Sequence, residues 1–348
     1  MLLKNFKRTS LQVCKNLGLF RRVLESRWRT ERLLILGYHG ISLEDEHDWD
    51  ASLYMSRPDF ESRLSILKKE NYSVLPLREA VERLYRNDLP ERSVSLTFDD
   101  GYYDFYRQAY PAIRAYNFPV TVYLTTFHCY YNKPIFGLVC PYLLWKKRGH
   151  VVPAPPAMES GLKFDLRTAE GRARAMTAIW KYSDGRKLSA EEKNEFALQL
   201  AVYLGLDYEE ILEKRLLHLM KPEEVAELAA AGVDFQLHTH RHHAPVNETL
   251  FHREIDENRT SIEEMTGECA THFCYPSGVH RPQYLPWLKD EKIFSATTCD
   301  PAFASSKTNA LLLPRLVDHC GLAPIEFESW LTGFASFVPS KPENNHAS

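Results

Sequence analysis

The chain has 348 residues, of which 44% are hydrophobic and 26% charged, with a formal net charge of −3. That composition is ordinary for a globular protein and leaves room for one large α/β domain or two smaller ones. It excludes nucleic-acid binding through a strongly basic face, and no run approaches the ~20 consecutive apolar residues of a membrane span. In chain order, residues 1–31 mix Leu2, Leu3, Phe6, Leu11, Val13, Leu17, Leu19 and Phe20 with Lys4, Lys7, Arg8, Lys15, Arg21 and Arg22. The cations interrupt any signal-peptide core, so this segment reads as an amphipathic helix. It either packs on the domain or lies on an anionic membrane surface. A cytoplasmic protein is expected, with any membrane contact peripheral and made through residues 1–31.

A continuous apolar run follows, Arg32 to Ile41, which predicts a buried strand ending at His39. Ser56 or Asp59 caps a helix whose Phe60, Leu64 and Leu67 share one face. Tyr72–Leu75 reads as a strand, Leu77–Leu84 as a helix, and Ser93–Phe98 as a strand stopping at Asp99-Asp100-Gly101. A helix over Tyr106–Tyr116 and a strand over Pro119–Thr125 continue the alternation, which predicts a parallel sheet or barrel. Residues 128–220 break it and read as an insertion or lid, with helices near 168–182, 189–204 and 208–219. Alternation resumes with helix Pro222–Ala231, strand Val233–Leu237 and helix Leu250–Met265, then strands near His272–Tyr275, Ser295–Thr298 and Leu311–Val317. The polar tail 339–348 is expected to be disordered. The seven cysteines are scattered, with no C-x-x-C pair, and predict reduced, mostly buried thiols.

The polar residues that matter fall at predicted strand ends: His39, Asp99-Asp100, His238 and Tyr275. In a (β/α) barrel those ends converge on the face where active sites are built. Adjacent carboxylates at Asp99-Asp100 call for a neutralising cation, although an Asp at a helix N-cap would explain either of them. The stretch His238-Thr239-His240-Arg241-His242-His243 holds four imidazoles in six residues, which suits metal ligation better than a solvated loop. An Asp with two His leaves a coordination position open, as hydrolytic metal sites do. Tyr275-Pro276-Ser277-Gly278 is a rigid turn able to aim a backbone N–H.

Together, TFDDG (97–101), His238-Thr239-x-x-His242 and YPSG (275–278) resemble the three motifs of the polysaccharide deacetylase family. The resemblance covers roughly 32–127 and 221–320. It implies a distorted (β/α) barrel over 32–338, interrupted by the helical insertion 128–220. It also implies a divalent metal, usually zinc, and hydrolysis of N-acetyl groups on hexosamines. By position it makes Asp99 the general base, Asp100, His238 and His242 the metal ligands, and the Ser277 N–H an oxyanion donor. His39 matches the general acid of circularly permuted members, with His319 as the competing candidate. Two departures stand out. Cys274 occupies a place where many relatives carry an Arg, and Arg315 is the candidate substitute unless it makes a plain ion pair. His243, where relatives often have Pro, is a rival ligand to His242, and Tyr275 is a further supporting candidate.

The substrate implied is an N-acetylated glycan or a lipid-linked sugar at the inner membrane surface. Tyr102, Tyr103, Tyr130, Tyr131, Trp145 and Trp180 are candidates for sugar stacking or for the core. Two other readings fit the same motifs: a metal-dependent amidase acting on a non-sugar amide, and an inactive carbohydrate-binding protein on the same scaffold.

Overall fold

The computed structural model describes residues 2–158 and 161–338. Seven barrel strands carry the site: β1 (Leu34–Tyr38), β2 (Ser93–Phe98), β3 (Thr121–Leu124), β4 (Asp234–Leu237), β5 (His272–Cys274), β6 (Ser295–Thr297) and β7 (Leu316–Val317). They pair in parallel in the order β6-β5-β4-β3-β2-β1-β7. β1, β2 and β3 are buried at every position. That is why Leu34–Tyr38 reads as a run without polar side chains, while the alternating Ser93, Ser95 and Thr97 of β2 are buried with their hydroxyls donated to carbonyls. One stretch serves both edges of the curled sheet. Leu313 pairs with Thr297 beside β6, and Leu316 and Val317 pair with Leu36 and Gly37 of β1. The fold is therefore the distorted (β/α) barrel expected.

Local signals explain most of the elements. Helix Arg57–Lys69 starts where the Ser56 hydroxyl accepts the Asp59 N–H, and it buries Phe60, Leu64 and Leu67. The predicted strand over Leu311–Val317 is shorter than expected, because Ala310–Leu312 makes a 3₁₀ turn before β7. The single N-terminal helix expected over 1–31 is instead three helices: Leu2–Asn16, Leu19–Leu24 and Arg27–Thr30. Gly18, at φ 74°, breaks the first from the second. Cysteine burial is narrower than expected. All seven are free, but only Cys129, Cys140 and Cys274 are buried. The tail 339–348 lies outside the described residues.

The insertion has a core of its own. Helices Phe136–Lys146, Ala169–Gly185 and Ala190–Leu204 pack around Val139, Leu143, Ile179 and Leu200. Tyr54, from the segment after β1, joins that cluster, with Leu43, Trp49 and Leu53 packed against it. The helix expected over 208–219 ends at Glu213, because Arg215 (φ 51°) and Leu217 (φ 59°) turn the chain back to the barrel. There Met220 N–H donates to Gly101 O (2.9 Å) and Tyr103 N–H to His218 O (2.9 Å). The insertion is thus tied directly to the turn that follows β2.

Candidate active site

Because the barrel strands are parallel, the residues just past their C-terminal ends meet at one end of the molecule. His39 follows β1, Asp99 and Asp100 follow β2, His238 follows β4, and Tyr275 follows β5. Asp100 adopts φ 67°, unusual for a residue other than glycine, and Gly101 adopts φ 84°. This tight turn sends the two adjacent carboxylates to different partners.

Asp100 faces two imidazoles. Its Oδ1 lies 3.3 Å from His238 Nε2 and 3.2 Å from His242 Nε2. Burial would raise its carboxyl pKa, but the His242 and His238 imidazoles more than reverse this and hold it well below the usual carboxylate range. His242 reaches the site because Thr239 (φ 63°) and His242 itself (φ 53°) are left-handed. The Thr239 hydroxyl pins this loop by accepting the His243 N–H at 2.9 Å. His238 Nδ1 lies 2.8 Å from Cys274 O. A carbonyl can only accept, so Nδ1 carries a hydrogen, and Nε2 is the nitrogen left to face Asp100.

Asp99 is 2% exposed and meets Arg315, which is fully buried. Arg315 grips it bidentately, with Nη1 to Oδ1 and Nη2 to Oδ2 both at 2.7 Å. The guanidinium is fixed in turn by Thr298 O (3.0 Å), the Thr97 hydroxyl (3.1 Å) and Cys274 Sγ (3.0 Å). Burial alone would raise the Asp99 pKa, but Arg315 outweighs it and brings the carboxyl down to about 2. His39 Nε2 lies 3.7 Å from Asp99 Oδ2.

The other candidates separate cleanly. His319 takes the Gly321 N–H on its Nδ1 (3.1 Å) and, among the described residues, has no ion pair or hydrogen bond with Asp99 or Asp100. His240 turns to the Thr126 hydroxyl (2.8 Å), and His243 is exposed outside the Asp100 group. The Tyr275 hydroxyl donates to Leu311 O (2.9 Å) within the core, so this side chain braces the turn. Ser277, in that turn, is left-handed at φ 55°. Asn258 escaped the sequence reading. It is fully buried on helix Glu248–Thr266, accepts the His238 N–H (2.9 Å) and donates to Leu124 O (2.9 Å). A signal existed, since Asn258 interrupts the apolar stripe Phe251, Ile255, Ile262 and Met265.

Three groups of donors lie close enough to share an ion among the described residues: Asp100–His238–His242 and Asp99–His238–Cys274 at this barrel end, and Glu248–His252–Asp290 away from it. The first fits a divalent cation. Asp100 Oδ1 is a buried oxygen with no hydrogen-bond partner among the described residues, aimed between two imidazole nitrogens. A carboxylate with two neutral imidazoles is a donor set typical of zinc. The second group fits poorly, because both Asp99 oxygens and the Cys274 sulfur already contact the Arg315 guanidinium.

The sequence model of the polysaccharide deacetylase family matches residues 86–146 and 193–292, which include the carboxylate pair and both imidazoles of this site. Over these residues the chain carries a polysaccharide deacetylase domain. It is 36% identical over 94 residues to YxkH, a Bacillus subtilis protein assigned to the polysaccharide deacetylases; the match covers 27% of the chain and 32% of YxkH. It is 34% identical over 74 residues to a poly-β-1,6-N-acetyl-D-glucosamine N-deacetylase of Staphylococcus aureus, over 21% of the chain and 26% of that relative. The chain thus matches a third or less of the length of these curated relatives. In fold it resembles the Streptococcus pyogenes deacetylase PplD, solved in complex with acetate. That likeness has a TM-score of 0.57 at 18% identity, over 86% of this chain and 98% of the other.

Proposed function

We propose that this deacetylase-family protein is a metal-dependent N-deacetylase that hydrolyses N-acetyl groups on hexosamine residues of a glycan. The observation that carries the reading is the juxtaposition at one barrel end of two differently partnered carboxylates. Asp100 sits between two imidazoles, while Asp99 is locked to Arg315 beside His39. Asp100, His238 and His242 would hold the divalent cation, and zinc suits their donor atoms best. Such an ion supplies Lewis acidity at the acyl oxygen and lowers the pKa of water.

The remaining steps belong to the chain's own groups. Asp99, kept ionised by Arg315, takes the proton of the attacking water. The Ser277 N–H stabilises the developing oxyanion, a contribution of about 3–4 kcal/mol for one well-placed donor. His39, whose Nε2 lies 3.7 Å from Asp99 Oδ2, donates a proton to the leaving amine. The products are acetate and a free amino sugar.

The test is acetate release from N-acetylglucosamine oligomers, with zinc supplied and after chelation. Asp99→Asn should lower kcat by at least ~10³-fold while retaining the cation, and His238→Ala should lose both. Turnover that survives either chelation or Asp99→Asn would overturn the mechanism.

A further inference from the structure

Loop 238–242, which carries both imidazoles of the Asp100 group, is held by side chains of helix Glu248–Thr266. The β3–β4 ladder ends at the Leu124–Leu237 pair. Asn258 continues it in place of a further backbone pair. Its Oδ1 accepts the His238 N–H at 2.9 Å, and its Nδ2 donates to Leu124 O at 2.9 Å and to the Thr126 hydroxyl at 3.0 Å. A side-chain amide offers an acceptor on one side and two donor hydrogens on the other, and all of these are used here. Asn258 is fully buried, so none of its partners at this point can turn to water instead.

One turn earlier on the same helix, Glu254 holds the middle of the loop. Its Oε2 accepts the Arg241 N–H at 2.8 Å, its Oε1 the Arg241 guanidinium at 2.7 Å, and its backbone oxygen the His240 N–H at 3.2 Å. Glu254 is itself buried. The segment after β3 closes in from the other side. The Phe127 N–H donates to His240 O (2.9 Å), and the Thr126 hydroxyl lies 2.8 Å from His240 Nδ1. His240 and Arg241, which stand between the two ligands in sequence but outside the Asp100 group, are thus the anchors that tie the loop down. Thr239 and His242 are both left-handed. Such a backbone persists only where its surroundings over-determine it, and Asn258, Glu254 and Thr126 supply that constraint.

We propose that Asn258 and Glu254 are positioning residues for the cation site, holding His238 and His242 around Asp100 and so setting the affinity for the ion. Outer partners of this kind orient metal-ligating groups, and their loss typically costs about 10–100-fold in metal affinity. The assignment rests on reading Asp100, His238 and His242 as metal ligands, and not on the identity of the substrate.

The experiment is a measurement of zinc affinity on the full chain, by competition with a chromophoric chelator. Asn258→Leu fills a similar volume without polar atoms and should weaken zinc binding by about 10–100-fold. Glu254→Ala should weaken it by about ten-fold, and Glu254→Gln, which keeps an acceptor for the Arg241 N–H, should recover most of that loss. Ile262→Ala separates positioning from simple loss of stability, since Ile262 is buried one turn further along the same helix. It should lower the thermal midpoint and leave zinc affinity unchanged. Should Asn258→Leu not fold, the comparison of Glu254→Ala with Glu254→Gln decides alone. Wild-type affinity in either Asn258→Leu or Glu254→Ala would overturn the proposal, as would an equal loss in Ile262→Ala. A wild-type chain that binds no zinc would remove the metal-site reading and the proposal with it. One that binds zinc, loses it in these variants and releases no acetate from any glycan would leave the positioning standing and remove the deacetylase reading.

Discussion

Arg315 is where the chemistry and the stability of the site meet. Its guanidinium contacts Asp99, Thr97, Thr298, Cys274 and Cys299 while fully buried. Replacing it with Met would strand a buried carboxylate, which typically costs 3–5 kcal/mol. Asp99 would then hold a proton and lose its role, so Arg315→Met should lower kcat by at least ~10²-fold and lower the urea midpoint. Arg315→Lys keeps the charge but not the fork, and should fall between Met and wild type. Adding Asp99→Asn to Arg315→Met removes the stranded charge, so the double variant should be more stable than Arg315→Met alone. If the two urea midpoints coincide, the pair is not what stabilises the site. The sequence singled out Arg315 but could not choose between a structural and a supporting role. What decides it is volume. Cys274 is small enough for a guanidinium arriving from the β7 side to reach Asp99, with Nη2 3.0 Å from the thiol. A single sequence carries no record of that exchange between distant positions.

Among the elements, those ruled by simple periodicity were legible and those ruled by tertiary contact were not. Ser93–Phe98 is a strand over the predicted residues, and His39, Asp99, Asp100 and His238 stand at strand ends as read. Helix Phe136–Lys146 gave no amphipathic signal because it is buried on most sides, and Pro141 lies within it. The 151–153 and 163–165 hairpin was likewise missed, since two three-residue strands leave no pattern to count. The turn after β2 joins the readable and the unreadable parts. Gly101 has φ 84°, its carbonyl accepts the Met220 N–H, and an added Cβ would lie 2.2 Å from Leu124 Cδ1. Gly101→Ala should therefore cost about 1–3 kcal/mol from backbone strain alone. It should also reduce activity more than stability, because the strain falls beside Asp100. A variant with wild-type thermal midpoint and kcat would show that the turn tolerates a side chain.

At the scale of the whole molecule, two buried imidazoles, His272 within the barrel and His218 at its seam with the insertion, tie stability to acid. Burial holds the His272 pKa down at about 4, with Arg78 adding to the effect, and burial likewise holds His218 at about 4. His272 sits in β5 with Nδ1 2.7 Å from the Ser295 hydroxyl, and the His218 carbonyl accepts the Tyr103 N–H at the seam with the insertion. Both rings are neutral in the folded protein. The unfolded chain takes up protons near pH 6.5, whereas the folded protein resists until about pH 4. The unfolded state therefore binds more protons across that window, and stability must fall as pH falls through it. Each histidine should contribute a loss of about 2 kcal/mol by pH 5, with the slope flattening below pH 4. Urea unfolding at pH 7.5 and pH 5, with chelator present so that ligand titration does not intrude, measures the loss. His272→Asn can keep a partner for Ser295 but cannot be protonated, so it should reduce the drop by about 2 kcal/mol. Equal midpoints at the two pH values in the wild-type protein would mean that these imidazoles are not sealed from water.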